Sequence, residues 1–211
     1  MTLTITDEFS KPHLQMTLNT ITIIRGTIHD TSAVLHLLDK AVAWLASQDR
    51  TGQWGTKPFS EDPKRVERLQ EFAMTGFGLW LAVDTETPTS FVDAETANKE
   101  EQSVAPGKVI GAIAFGERNS YVPPVTEPEA YVRLLVTDRE CAGRGVGKQL
   151  VEHARGIARE AELSLLRVDC YAGGDGKLVR YYESLGFERL ERLELEGGWA
   201  CQILAERLNS T

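Results

Sequence analysis

The chain has few cysteines and histidines and no long apolar run. Cysteine occurs three times, at Cys141, Cys170 and Cys201, and only four histidines are present. Widely spaced cysteines of odd number predict neither a disulfide framework nor a zinc site, and we expect no metal. No apolar stretch approaches the roughly 20 residues of a membrane span, and charges interrupt the N-terminal region where a signal peptide would need an apolar core. These absences indicate a cytoplasmic protein without membrane association.

Basic residues are fewer than acidic ones. The chain carries 23 lysines and arginines against 31 aspartates and glutamates, a net charge of -8. Nucleic-acid binders need basic faces, so this balance excludes a general binder of nucleic acid. Moderate acidity slightly favours a cationic acceptor, although it mostly serves solubility.

The length and composition fit one globular domain with a sizeable core. Residues 1–17 are polar and unpatterned and predict a flexible N-terminal lead-in, and residues 18–211 predict a single domain. Within that domain, residues 84–107 are rich in Thr, Glu, Asn, Ser and Pro. This composition predicts a flexible polar excursion and not a domain boundary.

Apolar periodicity predicts an alternation of strands and helices along the chain. The order is a strand, two helices, three strands, a glycine loop with a helix, a strand, a short helix and two strands. Short apolar runs predict the strands, and apolar residues at helical spacing predict the helices. The predicted strands are 21–24, 79–83, 109–115, 130–136, 165–170, 188–195 and 199–208, and the predicted helices begin at Asp30 to Ser32, Pro63, Val146 and about Leu178.

The most informative segment is the glycine-rich turn in residues 137–150. A strand pattern runs into Gly143, Gly145 and Gly147 and then into an amphipathic helix. Glycines allow close approach of the backbone, and a helix start offers unpaired amides and a positive dipole end to an anion. No Ser or Thr follows Lys148, which excludes a Walker P-loop, and the dinucleotide fingerprint would need glycine at that position. The loop alone predicts a phosphate site, with a plain helix start as the alternative.

Two motifs in the same chain resemble those of the GNAT superfamily of N-acetyltransferases. The family's turn reads Arg/Gln-x-x-Gly-x-Gly/Ala, and residues 142–147 read Ala-Gly-Arg-Gly-Val-Gly. Its later motif, Asn followed by Tyr-Glu-x-x-Gly-Phe, is similar to Asp175 and the segment Tyr-Glu-Ser-Leu-Gly-Phe at 182–187. The order and spacing of the two motifs make the resemblance specific.

The chain departs from the family pattern at two positions. Ala142 replaces the usual Arg or Gln, so Arg139, Arg144 or Lys148 would replace a side-chain contact to the cofactor. Asp175 stands where Asn is frequent, and an ionised Asp accepts hydrogen bonds but donates none.

The resemblance implies an α/β fold of the mixed α+β kind. Its central mixed, mostly antiparallel twisted sheet has about six to seven strands, is flanked by about four helices and splays between the fourth and fifth strands. The implied activity is that of an acyltransferase, which moves an acetyl group from acetyl-CoA directly to the amine of a small-molecule acceptor. The protein would act as a monomer or homodimer.

The resemblance also assigns roles on the donor side. Amides of residues 143–148 would hold the pyrophosphate, and the main chain of 134–136 would pair with pantetheine as with an added strand. The Val136 amide would stabilise the oxyanion, and Tyr182 would act as general acid toward the leaving thiolate. The implied cofactor-binding set is Leu134, Leu135, Val136, Arg139, Gly143, Arg144, Gly145, Val146, Gly147, Lys148, Asp175 and Tyr182.

The acceptor side is less determined. Glu129 and Asp169 are both candidates for the general base, directly or through water, and a water chain without a single base is the alternative. Arg133 would pair with a carboxylate of the acceptor if it faces the cleft. The expected acceptor residues are Gln53, Trp54, Tyr121, Arg133 and Trp199.

Two other functions remain open at this point. An acyl carrier protein would deliver the acyl group on a phosphopantetheine arm that meets the basic residues of the turn. A non-catalytic sensor would bind acyl-CoA and signal through a partner, which the presence of Tyr182 argues against. Turnover with acetyl-CoA alone separates the first alternative from the main prediction.

Overall fold

The computed structural model describes residues 20–86 and 107–208. The expected lead-in at 1–17 and nearly all of the excursion at 84–107 lie outside the described residues. None of the helices in the two described ranges is long and apolar enough to cross a membrane. The strands are β1 Ile21–Arg25, β2 Leu79–Asp84, β3 Lys108–Gly116, β4 Glu129–Thr137, β5 Leu165–Tyr171, β6 Glu188–Leu195 and β7 Trp199–Arg207, and the α-helices are α1 Thr31–Ser47, α2 Pro63–Met74, α3 Val146–Glu160 and α4 Lys177–Ser184.

These strands form one mixed sheet, which confirms the predicted fold class. The sheet has seven strands in the order β1-β2-β3-β4-β5-β7-β6. Every neighbouring pair is antiparallel except β4 and β5, which run parallel. The parallel pair is joined through α3, as a parallel connection requires a crossover.

The two faces of the sheet carry separate apolar clusters. Along β3, Ile110 and Phe115 pack with the buried face of α3, whereas Val109 and Ala112 pack with α1 and α2. The two-residue alternation of a strand is interrupted once, at Ile110, which is the extra residue of a bulge opposite β2. Gly111 lets α3 approach β3, because a Cβ there would lie 2.8 Å from Val146 Cγ1.

The first helix is capped differently from the expected way. Asp30 occupies the N-cap position of α1, but its side chain makes no capping hydrogen bond there. Its carboxylate instead accepts hydrogen bonds of 2.8 Å from the backbone N–H and the hydroxyl of Thr27. A short 3-10 turn precedes α1, and the Thr27 side chain caps that turn.

The sheet splays where β4 and β5 leave each other. Their pairing runs from Glu129 with Leu165 to Val132 with Val168. Beyond these residues the two strands continue without pairing to each other, and Arg133 is the extra residue of a bulge opposite β3. The predicted splay between the fourth and fifth strands is therefore confirmed, and it opens the sheet beside the start of α4.

Candidate active site

The glycine turn forms an open helix start. Gly145 has a φ of 70°, in the left-handed region that glycine adopts without strain, and it is the N-cap of α3 with no side-chain cap. A Cβ at Gly143 or Gly145 would meet nothing within 4 Å. The first α3 backbone bond runs from Gln149 N–H to the Gly145 carbonyl. The N–H groups of Val146 to Lys148 therefore lack helical acceptors, and the turn fits an anion such as a phosphate.

The basic side chains of the turn differ in their availability. Arg144 donates to Asp84 at 2.5 Å, and this bond holds the pKa of the Asp84 carboxyl below its ordinary value. Lys148 is exposed, and within the described residues it forms no ion pair. Arg139 lies with its Cζ 3.3 Å from the centroid of the Trp44 ring. Lys148 and Arg139 are thus better placed to meet a phosphate than Arg144.

A cavity of about 340 Å³ lies beside α1, the end of β4 and α4, and we call it the donor cavity. Its rim is cationic, since Arg50, Arg139 and Lys177 line it together with apolar residues. Asp175 holds two of these cations, with 2.8 Å to Arg50 and 2.9 Å to the Lys177 ammonium. The expected cofactor residue Asp175 is therefore already paired, and it positions Arg50 and Lys177 at the rim.

A larger cavity of about 670 Å³ lies beyond the splay, and we call it the acceptor cavity. The structure brings all the expected acceptor residues to its wall. The residues that line both cavities are Gln53, Trp54, Leu135, Leu178 and Tyr182. Tyr182 and Leu135 thus mark the junction of the two cavities. The expected acceptor residues at the wall are Gln53, Trp54, Tyr121, Arg133 and Trp199.

Tyr182 is a buried neutral phenol at this junction. It is 6% exposed and packs edge-on against Phe187, with 5.8 Å between ring centroids. Burial, with a smaller contribution from Cys170, raises the pKa of Tyr182 well above its ordinary value. The hydroxyl therefore keeps its proton and is available as a donor.

The backbone register changes the assignment of the oxyanion amide. Asp138 N–H donates to the Ile110 carbonyl, and Val136 pairs with Ala112 two residues earlier. Because N–H groups alternate in direction along a strand, the Val136 amide points to β3 and the Leu135 amide points toward the splay. The Val136 amide is therefore directed at β3, contrary to expectation, and the amide that faces the splay is that of Leu135.

Asp169 lies in the acceptor cavity at the centre of a hydrogen-bond network. Its Oδ1 accepts from the Tyr131 hydroxyl at 2.7 Å and from Asn119 Nδ2 at 3.3 Å. Its Oδ2 accepts from the Tyr121 hydroxyl at 3.0 Å and from Cys201 Sγ at 3.8 Å. A carboxylate offers about four acceptor positions, and these four donors fill them. A further donor therefore reaches Asp169 through the hydroxyl of Tyr121.

Glu129 is not brought to the cavity. It lies at the start of β4, where both its oxygens accept from the guanidinium of Arg167, at 2.5 and 2.9 Å. Arg167 is 2% exposed, and its Nη2 also donates to the Pro123 carbonyl. The carboxylate of Glu129 therefore serves a buried ion pair, and we do not retain it as a base.

The cysteines are buried thiols. Cys170 lines the acceptor cavity, and burial raises the pKa of its thiol to about 12. Cys141 and Cys201 are also buried. A thiol with such a pKa is protonated at neutral pH and is a poor nucleophile, which disfavours a covalent acyl-cysteine.

Sequence reasoning missed several residues of the acceptor cavity. Arg65 and Arg68 line it from α2, and Asn119 and Tyr131 position Asp169. The spacing of three between Arg65 and Arg68 places them on one helix face and was an available signal. Nothing in the sequence indicates that Tyr131, from the middle of a buried strand, would bond to Asp169 on the next strand. Within the described ranges, no three His, Cys, Asp or Glu side chains gather as metal ligands do.

Comparisons with known proteins agree with this geometry. Residues 39–187 match the model of the acetyltransferase (GNAT) family. No curated protein matches the chain at a significant level.

Solved structures share the fold at low sequence identity. The chain is 21% identical to a putative phosphinothricin N-acetyltransferase, with a TM-score of 0.60 over 90% of this chain and 99% of that one. A putative acetyltransferase from Salmonella typhimurium, solved with its cofactor acetyl-CoA, is 16% identical, with a TM-score of 0.58 over 91% and 96%. The ribosomal-protein-S18-alanine N-acetyltransferase from Escherichia coli is 16% identical, with a TM-score of 0.57 over 90% and 96%.

Proposed function

Because the chain belongs to the acetyltransferase (GNAT) family and is an acyltransferase, we propose that it transfers an acetyl group from acetyl-CoA directly to the amine of a small molecule in the cytoplasm. The observation that carries the proposal is the junction of two cavities at Tyr182 and Leu135, where the sheet splays. The donor cavity reaches the glycine turn through Tyr181, whose hydroxyl lies against Gly147, and the acceptor cavity holds the carboxylate of Asp169. The three free cysteines support a reducing compartment.

On the donor side, the chain offers backbone groups along an extended path. The amides at the start of α3 bind the pyrophosphate, and the unpaired edge of β4 at Leu135 and Thr137 pairs with the pantetheine arm. Arg50, Arg139 and Lys177 add positive charge at the rim. Acetyl-CoA, when bound, supplies the activated thioester.

On the acceptor side, Tyr121 and Asp169 handle the proton of the amine. The Tyr121 hydroxyl donates to Asp169, so its oxygen can accept from an ammonium while its own proton moves to the carboxylate. Burial and the charge of Asp169 raise the pKa of Tyr121 above its ordinary value. Tyr121 thus acts as a neutral relay, and Asp169 is the base.

During transfer, two groups of the chain act on the reacting atoms. The N–C bond forms as the C–S bond breaks, and the Leu135 N–H stabilises negative charge on the carbonyl oxygen. Tyr182 donates its proton to the departing sulfur, and the second nitrogen proton restores Tyr182. The products are an amide, a thiol and one released proton. Because the pKa of Tyr182 is raised, its contribution is largest as a hydrogen bond that forms while charge develops on sulfur.

The test is release of free thiol from acetyl-CoA across amines, amino sugars, amino acids and peptides. Turnover with acetyl-CoA alone and a small amine is the expected result. Turnover only with an acyl carrier protein, or only with peptides, would contradict the donor or the acceptor proposed.

A further inference from the structure

The acceptor cavity is cationic although the protein is acidic. Its wall contains three arginines, Arg65, Arg68 and Arg133, and one carboxylate, Asp169. The whole chain has a net charge of -8. Like charges that share a partly desolvated site repel one another, so such a cluster is unfavourable unless a ligand compensates it.

Arg133 is held in this wall without full compensation. Its Nε is buried and, among the described residues, has no hydrogen-bond partner. Its Nη1 lies 4.0 Å from Glu71, the outer limit of an ion pair, and its Cζ lies 4.4 Å from the centroid of the Phe72 ring. A buried donor without a partner is unfavourable, and a bound acceptor group would relieve that cost.

Arg68 contacts the same Phe72 ring as Arg133, and in residues 20–86 and 107–208 it forms no ion pair with a carboxylate. Its Cζ lies 5.5 Å from the same Phe72 ring, and its Nη2 donates to Asn119 Oδ1 at 2.7 Å. Arg65 differs, because it bonds to main-chain carbonyls and lies 3.5 Å from Asp62. Arg68 and Arg133 are therefore the least compensated of the three arginines.

Asn119 links this cationic pair to the base. Its amide oxygen accepts from Arg68, and its amide nitrogen donates to Asp169 and to the Tyr121 hydroxyl at 3.0 Å. One side chain thus sets the spacing between the positive site and the carboxylate. A ligand that uses both sites needs an anion and an amine a few bonds apart.

We propose that Arg68 and Arg133 bind an anionic group of the acceptor, a carboxylate or a tetrahedral oxyanion, and that the acceptor is a small zwitterionic amine of the amino-acid type. Guanidinium groups suit such anions because their donors form a planar fork. The amine then lies toward Tyr121 and Asp169. This inference rests on the proposed function, since the amine is the group acetylated.

The test uses acceptor pairs that differ only in the anion. L-methionine, L-phenylalanine and 4-aminobutyrate are each compared with the amide in which the carboxylate is blocked, by thiol release from acetyl-CoA. The pair 4-aminobutyrate and 3-aminopropylphosphonate separates the planar anion from the tetrahedral one. We expect kcat/KM to be higher for the anionic member of at least one pair.

Two variants and a control test whether Arg68 and Arg133 cause the preference for the anionic acceptor. Arg133→Gln and Arg68→Gln should each lower kcat/KM for the preferred anionic acceptor about tenfold to a hundredfold, as loss of a charged hydrogen bond does. The loss should appear mainly in KM and should be larger for the anionic acceptor than for its blocked amide, with KM for acetyl-CoA nearly unchanged. Arg192→Gln, on the exposed strand β6, is the control and should change nothing.

The outcomes separate this inference from the proposed function. Equal use of blocked and anionic acceptors, or a preference that persists in both variants, overturns the inference while leaving acetyl transfer intact. If no acceptor supports thiol release, calorimetry measures whether the same amino acids bind to the protein and to Arg133→Gln. Binding that Arg133→Gln weakens about tenfold supports the anion site without the activity, and absence of binding overturns the inference.

Discussion

At the scale of single residues, Tyr182 is the most direct test of the chemistry. Tyr182→Phe removes the hydroxyl and keeps the ring that packs against Phe187. Because loss of a general acid costs about 10² to 10⁴ in rate, we expect kcat to fall by that factor with little change in acetyl-CoA affinity. Single-turnover rates and calorimetry measure the two quantities. A variant with full activity would remove Tyr182 from the mechanism.

Asp169 and Glu129 give opposite expectations, which makes them a matched pair. Asp169→Asn should lower kcat/KM about 10² to 10⁴ at neutral pH, with partial recovery as rising pH deprotonates the amine in solution. Glu129→Gln should instead lower stability by about 3 kcal/mol, because it leaves the buried Arg167 without its charge partner. pH–rate profiles and urea unfolding distinguish them. A rate loss in Glu129→Gln with unchanged stability would reverse the two roles.

At the scale of elements, a negative charge placed at the start of α3 should weaken the binding of coenzyme A. Gly145→Asp puts an anion where the open amides bind phosphate, and we expect coenzyme A affinity to fall about thirtyfold or more. Gly145→Asn is the control, because it puts a side chain of nearly the same size at the same φ of 70° without the negative charge. Calorimetry with coenzyme A gives both affinities. Equal affinities would place the phosphate elsewhere.

Element bounds were largely predictable because they depend on neighbouring residues in the chain. The start of α2 at Pro63 and the start of β6 at Glu188 were predicted from local signals, and the structure agrees with both.

The directions in which backbone N–H groups point across the sheet were not predictable. The Val136 amide faces β3 because of its pairing with Ala112, and no periodicity reveals which way an N–H points. The bulge at Arg133 is likewise a property of two strands together.

Site residues that belong to a sequence motif were predictable. Site residues whose role depends on tertiary contacts were less predictable. Tyr182 and Gly145 came from motifs, and the structure places them at the cavity junction and at the helix start. Glu129 and Asp169 looked equivalent in sequence. They differ because Arg167 occupies the first, whereas tyrosine hydroxyls orient the second inside the cavity.

At the scale of the whole molecule, Asp138 connects three parts of the chain and should contribute to acid sensitivity. Its carboxylate lies 3.1 Å from Lys40 of α1 and 3.4 Å from Lys108 of β3. Burial opposes its ionisation, but the Glu140 N–H and Lys40 outweigh burial and hold the pKa below its ordinary value. Because its pKa is lowered in the folded state, ionised Asp138 stabilises the fold above about pH 4. This stabilisation is lost as the pH falls through the lowered pKa.

Asp138→Asn should therefore cost about 1 to 3 kcal/mol at neutral pH and flatten the loss of stability below about pH 4. Urea unfolding at a series of pH values gives both quantities. Asp49→Asn is the comparison, because Asp49 is exposed with a φ of 54°, which asparagine tolerates. If the two variants lose stability in parallel with the unaltered chain, the charge of Asp138 has no such role.

The shared wall of the two cavities predicts a sequential kinetic mechanism, in which both substrates bind before either product leaves. Under the proposed function both substrates occupy the protein together, because the two cavities share the wall that includes Tyr182 and Leu135, and the thiol of Cys170, which lines the acceptor cavity, stays protonated. Double-reciprocal plots at several fixed acceptor concentrations should therefore intersect. Parallel lines would require an acetylated form of the protein that persists after coenzyme A has left.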